Sequence, residues 1–588
     1  MALALMAPGI AMAATYLVDT TVDNGALSAC TAAAGDCSLR GAVNAVNAGP
    51  GGDIISIPAG TFTLSTTGWG DDLNIKGDLD ILKAVTIQGA GAGVTTIVGA
   101  ADRVIHVVGA VAVTIDRVTI SGGLPNLGAN TLEISGGGIY SNGSLNVTNS
   151  TISGNSTGSG LAGGMGGGIY SAATLNVTSS TISGNLASSG MGGGIYSVGA
   201  LNVTNSTISG NTAGSFWGGI YSGGAVTVTN STISGNTAGT SVGGISSAGF
   251  LTMTDSTVSG NTATISSAGG IHVGSGGFIK NSTISGNRAA TWGGAINNQS
   301  APLSIANSTI AGNTSGNGAL YAFLAGADIT LSNTIIAGNN PGANCAWAGG
   351  TIISAGYNID SDGLCKLAAG TDLPGNTLIT GSLGALANNG GKTKTHALLV
   401  GSPAIEKGNC SGGGINSDQR GISRPRDGNG DKLANCDIGA FEYSTNTNVA
   451  AYLNLFIVGT GSVSDGILGS AMNPCVFIPL TGCRQYYDSG ATITLTATPG
   501  AGQIFIGWGG TVPSINNPLT LPKTTYHNIT AVFGNNGLRV GVVGPGMVTG
   551  GAWIDCPAKV CADPTVIPGT LQTLTATPTG GAVFSGWT

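Results

Sequence analysis

The sequence is short of charge, of histidine and of aromatic side chains. Only 8% of its 588 residues are Asp, Glu, Lys or Arg, 5% are aromatic, and four are His. No apolar run reaches the ~18 residues that a membrane-spanning helix needs. The few charges are mostly acidic, with a net charge of −7. That balance argues against a nucleic-acid partner, which requires clustered Lys and Arg. Disorder is disfavoured, because 41% hydrophobic residues can build a core. Glycine is plentiful instead, at 104 residues, more than twice ordinary usage. No Gly-X-Y period runs through the chain, so collagen is excluded. Much glycine with little charge points to a tightly turned, regularly stacked β architecture.

Residues 1–14, MALALMAPGIAMAA, read as an export signal with an A-x-A site at Ala11 and Ala13. A basic n-region is missing, since the first cation is Arg40; a buried N-terminal strand is the alternative. The ten cysteines fall into neighbouring pairs: Cys30/Cys37, Cys345/Cys365, Cys410/Cys436, Cys475/Cys483 and Cys556/Cys561. Short local spacings suit disulfides in an oxidising compartment. C-x-x-C pairs are absent and His is scarce, which disfavours zinc. Five local disulfides are expected, each worth about 2–3 kcal/mol if unstrained.

A motif ending in Gly-Asn repeats through the middle of the chain. Its closing residues are Asn155, Asn185, Asn211, Asn236, Asn261, Asn287, Asn313 and Asn339, mostly 25 or 26 residues apart. Periods of this size mark a solenoid. Each unit reads as three short strands, as in GGGIYS (136–141), LNVT (145–148) and TIS (151–153). No stretch carries a helical period long enough for a helix. Three strands in ~25 residues fit one coil of a right-handed parallel β-helix, predicted here over residues 53–360 with about a dozen coils. Apolar columns follow, such as Ile139, Ile169, Ile195, Ile220, Ile245, Ile271 and Ile296. Gly takes the left-handed corners, and the repeated Asn is placed to form an amide ladder from coil to coil.

Several segments resemble known families. Cys37-Ser38-Leu39-Arg40 resembles the CSLREA motif of secreted bacterial β-helix proteins, with Gly41 where the motif has Glu. The GGGIYS and GGAI repeats resemble those of polymorphic outer-membrane proteins. LANNGGKTKTHALLVGSPAIEKG (386–408), DQRGISRPRDGNGD (418–431) and CDIGAFE (436–442) resemble the choice-of-anchor Q module. Beyond it, TLTATPGAGQIFIGWGG (494–510) recurs as TLTATPTGGAVFSGWT (573–588) and resembles the divergent internalin B-repeat. The second copy stops early, so the chain reads as part of a longer product. The layout is then signal 1–14, β-helix with N-terminal cap 28–365, anchor-Q-like module 366–443, linker 444–450, and B-repeat-like modules 451–535 and 536–588. The resemblances imply a secreted or cell-surface bacterial protein.

Chemistry is hard to find. Residues 134–326 hold three charged side chains, Asp255, Lys280 and Arg288, whereas glycoside hydrolysis needs paired carboxylates. The densest acidic patch is Asp71, Asp72, Asp78 and Asp80, with Asp102 and Asp116 on later coils; it is either a metal or acid/base site or a set of solvated loop acids. His396, alone in Thr-His-Ala-Leu-Leu, reads as a structural hydrogen bonder. Asp427, Asn429 and Asp431 alternate with Gly, as in a Ca²⁺ loop, or else form turns; Asp437 is a further ligand candidate. Tyr140, Tyr170, Tyr196 and Tyr221 follow inward Ile residues and should point outward as a stacked ladder. That ladder is either a glycan platform or simply packing. Thr151, Thr181, Thr207, Thr232, Thr257, Thr283 and Thr309 make a similar row.

Three functions remain open. The first is a non-catalytic, adhesin-like or structural scaffold contacting an extracellular glycan or surface protein, with Ca²⁺ at the Asp427 loop as its one cofactor candidate. The second is a polysaccharide lyase or glycoside hydrolase. The third is an autotransporter passenger.

Overall fold

The structure is a computed structural model. It describes residues 13–443 except 101, 126–133, 158–162, 411–415 and 429–432, together with parts of 451–584. The export segment through residue 12, Asn429, Asp431 and the linker 444–450 lie outside the described residues. Two compact units are distinguished.

The first unit is the predicted parallel β-solenoid. Three long sheets of 13, 11 and 13 strands run its length. The first extends from Thr15–Leu17 and Asp53–Ile57 to Ile352–Ser354, the second from Leu79–Ile81 to Cys345–Trp347, and the third from Gly60–Thr63 to Leu373–Pro374. Neighbouring strands are parallel and in register, so Ile139 pairs with Ile169 and Tyr140 with Tyr170. Like therefore stacks on like. The column Ile139, Ile169, Ile195, Ile220, Ile245, Ile271 and Ile296 is wholly buried. Each coil covers its neighbour's apolar edge, and none has a core of its own.

Two asparagine columns do different work. Asn149, Asn205, Asn230, Asn281, Asn307 and Asn333 turn corners in the left-handed region, with φ between 47 and 51°. Asn tolerates that region better than most residues. The closing asparagines are buried and form the amide ladder: Asn211 Nδ2 donates to Asn236 Oδ1 at 2.9 Å, and Asn236 Nδ2 to Asn261 Oδ1 at 2.9 Å.

The chain is all-β in class, as expected, and the solenoid's first end is closed by one ten-residue helix, Leu39–Ala48, for which the sequence reading found no period. Its signal was present: Ser38 caps it, accepting from Gly41 N at 2.9 Å, and buried Leu39, Ala42, Val43 and Val46 recur at helical spacing. Arg40 is buried here, 2.6 Å from Asp23 and donating to the carbonyls of Gly77 and Asp78 at 2.7 Å each. At Gly41 a Cβ would lie 1.8 Å from the Leu27 carbonyl oxygen, so no larger residue fits.

The described parts of 378–426 and 434–443 fold back along the third sheet within this unit. Thr257 Oγ1 donates to the Lys394 carbonyl at 2.6 Å, Thr283 Oγ1 to Gln419 Oε1 at 2.6 Å, and Ala440 N to Thr309 Oγ1 at 3.1 Å. Three of the seven threonines of the row, Thr257, Thr283 and Thr309, are thus covered. His396 bridges the two layers, with Nδ1 2.7 Å from the Gly384 carbonyl and Nε2 2.8 Å from Ser285 Oγ. Burial holds its pKa below the usual value, against the opposing pull of the Gly384 hydrogen bond. As pH falls below about 6.5 the unfolded chain takes up a proton that the folded chain resists. Stability should therefore fall with pH and level off below the folded pKa. His396→Gln should flatten that part of the melting-temperature profile; an unchanged slope would contradict it.

Three of the five cysteine pairs form disulfides: Cys30–Cys37, Cys345–Cys365 and Cys410–Cys436. The side chains of Cys475, Cys483, Cys556 and Cys561 are outside the described set. Non-reduced peptide mapping should return Cys475–Cys483 and Cys556–Cys561; a Cys475–Cys556 link would refute local pairing.

The second unit contains small sheets. Strands Ala451–Val458, Cys483–Tyr487, Ile504–Gly510 and His527–Gly534 form one, with the first and last parallel. Gly461–Ser464, Cys475–Val476, Thr492–Pro499 and Leu519–Pro522 form an antiparallel one. Leu453, Leu455, Leu495, Trp508, Ile529 and Phe533 pack between them.

Candidate functional site

The second sheet carries one non-core column along the solenoid. Register places Asp80, His106, Tyr140, Tyr170, Tyr196, Tyr221, Ser246, His272, Asn297 and Tyr321 on successive coils. The column brings together residues far apart in the sequence. It has three parts.

At one end lies a carboxylate–imidazole group. His106 Nδ1 is 3.1 Å from Asp80 Oδ1 and 3.5 Å from Asp72 Oδ1. Ligand atoms of these three residues lie within 4.8 Å of one another, close enough to share a cation. Arg103 sits beside them, 2.9 Å from Asp78 and over the Tyr140 ring at 5.1 Å. Burial raises the pKa of Asp78, Asp80 and Asp102. Arg103 opposes the rise at Asp78 and Asp102, and His106 opposes it at Asp80 and Asp102, while neighbouring carboxylates add to it. The predicted acidic patch therefore divides. Asp71 accepts from the amides of Leu73, Ile75 and Lys76 and so ties down local backbone, whereas Asp116 accepts from the side chains of Thr148 and Asn149 on the next coil.

Next come the tyrosines. They stack as expected, but Tyr140 and Tyr170 are only 7% and 6% exposed. Their ring centroids are 4.6 Å apart at 10°, and Tyr170 and Tyr196 are 5.5 Å apart at 11°. The ring faces are spent on each other, which corrects the open platform for the first two residues. Tyr196 and Tyr221 are half-buried, and Trp217 stacks on Tyr221 at 3.9 Å.

Beyond Tyr221 the aromatic column breaks, and an open cavity of about 370 Å³ follows. Trp217, Tyr221, Val242, Ser246, His272 and Gln299 are among its lining residues. The sequence reading missed His106, Trp217 and His272. The signal was there: His replaces Tyr in Ile105-His106-Val107 and Ile271-His272-Val273, and Trp217 replaces the first Gly of a GGGI corner.

The other candidates resolve differently. Asp427 is half-buried, with its two partner residues outside the described set. Asp437 instead accepts from Glu406 N at 2.7 Å and from Tyr443 N. Asp255 lies at a left-handed corner, and its backbone carbonyl accepts from Thr393 in the folded-back segment.

Residues 219–363 match the family model described as right handed beta helix region. Residues 479–537 and 556–588 match the model described as divergent InlB B-repeat domain. The chain thus carries a right-handed β-helix region and divergent InlB B-repeat sequence. Comparison with curated proteins finds no match. Among solved structures, the crystal structure of pectate lyase Pel9A aligns with a TM-score of 0.40 at 16% identity, over 74% of this chain and 98% of that one. A likeness of that size says nothing about activity.

Proposed function

We propose that this chain is a secreted or cell-surface scaffold that holds a glycan along the second sheet of its β-helix without cleaving it. The observation that carries the reading is the column itself: aromatic rings followed by Ser246, His272 and Asn297, on coils with almost no charge. Aromatic surface and neutral hydrogen-bonding groups suit sugar rings, and proton transfer needs more. The disulfides and the B-repeat matches support an extracellular setting.

A polysaccharide-cleaving enzyme is the second reading, and Asp72, Asp80 and His106 favour it. A glycan array combined with a degradation panel of pectins, alginates and xylans, with and without Ca²⁺, separates the two. Binding without products is expected. Turnover that disappears in Asp80→Ala would replace the scaffold by an enzyme acting at the carboxylate–imidazole group.

A further inference from the structure

The cavity beyond Tyr221 is built at a cost in backbone energy. Its corner position is Gly136, Gly166, Gly192 and Gly293 on other coils, with φ between 61 and 70°. At Gly166 an added Cβ would lie 2.3 Å from the Ile169 carbonyl oxygen. On three consecutive coils the same corner is Trp217, Val242 and Ala268, with φ of 66, 63 and 58°. A β-branched residue in this region is a true outlier, and each such residue costs about 1–2 kcal/mol. Strain of this kind collects where a site must be shaped. Trp217 and Val242 both line the cavity.

Unpaired polar atoms lie on the last of these coils and on the one after it. His272 Nδ1 is buried with no hydrogen-bond partner, and so is Oδ1 of Asn297, its register partner on the next coil. Buried polar groups are rarely left so. Ser246, Ser267, Gln299 and Ser300 add neutral polar groups to the lining, and among the described residues none that lines the cavity is charged. Burial pushes the His272 pKa down to about 4, so its imidazole is neutral near pH 7.

We infer that this cavity binds an uncharged pyranose residue of a glycan chain, its apolar face against Trp217 and Tyr221 and its hydroxyls on His272 and Gln299. Hydroxyls both donate and accept, which matches a lining of neutral side chains. An anionic sugar would find no cation here. The inference rests on the glycan-holding reading and narrows it to one site and one chemical class.

The test is calorimetric titration of the whole chain with neutral hexose and xylose oligosaccharides, and with oligogalacturonate and oligoalginate. Neutral oligosaccharides should bind, and Trp217→Gly and His272→Ala should each weaken them at least tenfold. Trp217→Gly restores the residue found at this corner on other coils, so the fold should survive; circular dichroism checks this. Phe278→Leu, on the first sheet, should stay within twofold of the parent. If neutral glycans bind but both cavity variants stay within twofold, the cavity assignment is wrong and the scaffold reading stands. Preference for the acidic oligosaccharides overturns the neutral class. If no glycan binds, both readings fail.

Discussion

Asn236→Ala should cost about 4 kcal/mol, far more than a typical substitution. Asn236 is wholly buried. Its Oδ1 accepts from Asn211 N at 3.0 Å and from Asn211 Nδ2 at 2.9 Å, and its Nδ2 donates to the Ile208 carbonyl at 3.0 Å. Alanine leaves the Asn211 N–H unpaired and takes one partner each from Asn211 Nδ2, the Ile208 carbonyl and Asn261 Oδ1, where a buried group left unpaired costs about 1–3 kcal/mol before any water enters. Long repeat arrays need not melt as one unit. Hydrogen exchange of amides on the flanking coils is therefore the readout. Asn230→Gly is the control, because it sits at the left-handed corner, where glycine is at ease. It should change protection by less than about 0.5 kcal/mol. An Asn236→Ala protein protected within about 1 kcal/mol of the parent would show that the ladder is dispensable.

Arg424→Ala should release the segment that folds back along the third sheet. Arg424 is buried, donating to the carbonyls of Asp437 at 2.9 Å and Gly439 at 2.6 Å, with Glu442 at 3.4 Å. Burial, reinforced by the other acids, already raises the pKa of Asp437 and Glu442, while Arg424 opposes the rise at both. Removing the cation strands buried carboxylates, at about 3–5 kcal/mol. Limited proteolysis should then cut within 378–443, while the coils stay resistant. Gln419→Leu should have the same effect in smaller degree, since its amide is hydrogen-bonded to Thr257, Thr283 and Thr393. A digestion pattern identical to the parent's would contradict this account.

The solenoid was legible because its repeat is nearly exact. Ile, Asn and Gly recur at fixed offsets, and parallel in-register stacking turns each offset into a column. The N-terminal helix was less legible, since it occurs once and is only ten residues long. The Thr row was legible as a row, but not that Thr257, Thr283 and Thr309 lie beneath residues 393–440. That contact joins segments more than 100 residues apart. The acidic patch was visible as composition, whereas its division needed coordinates. Asp71 and Asp80 are nine residues apart, yet one holds a loop and the other meets His106 on the next coil. The tyrosine ladder showed in the repeat, but ring stacking and the burial of Tyr140 and Tyr170 depend on side-chain rotamers. His272 was overlooked because it lies where the tyrosine column breaks, between Ser246 and Asn297, and such departures look like drift until the cavity around them is seen.

The most direct measurement of the central claim follows a bound neutral oligosaccharide through time. The whole chain is incubated with an oligosaccharide it retains on the array, and bound ligand and new reducing or unsaturated ends are counted together. The account predicts stable retention, no new ends, and loss of retention in Trp217→Gly. New ends that accumulate with the parent chain and vanish with Asp80→Ala would contradict it.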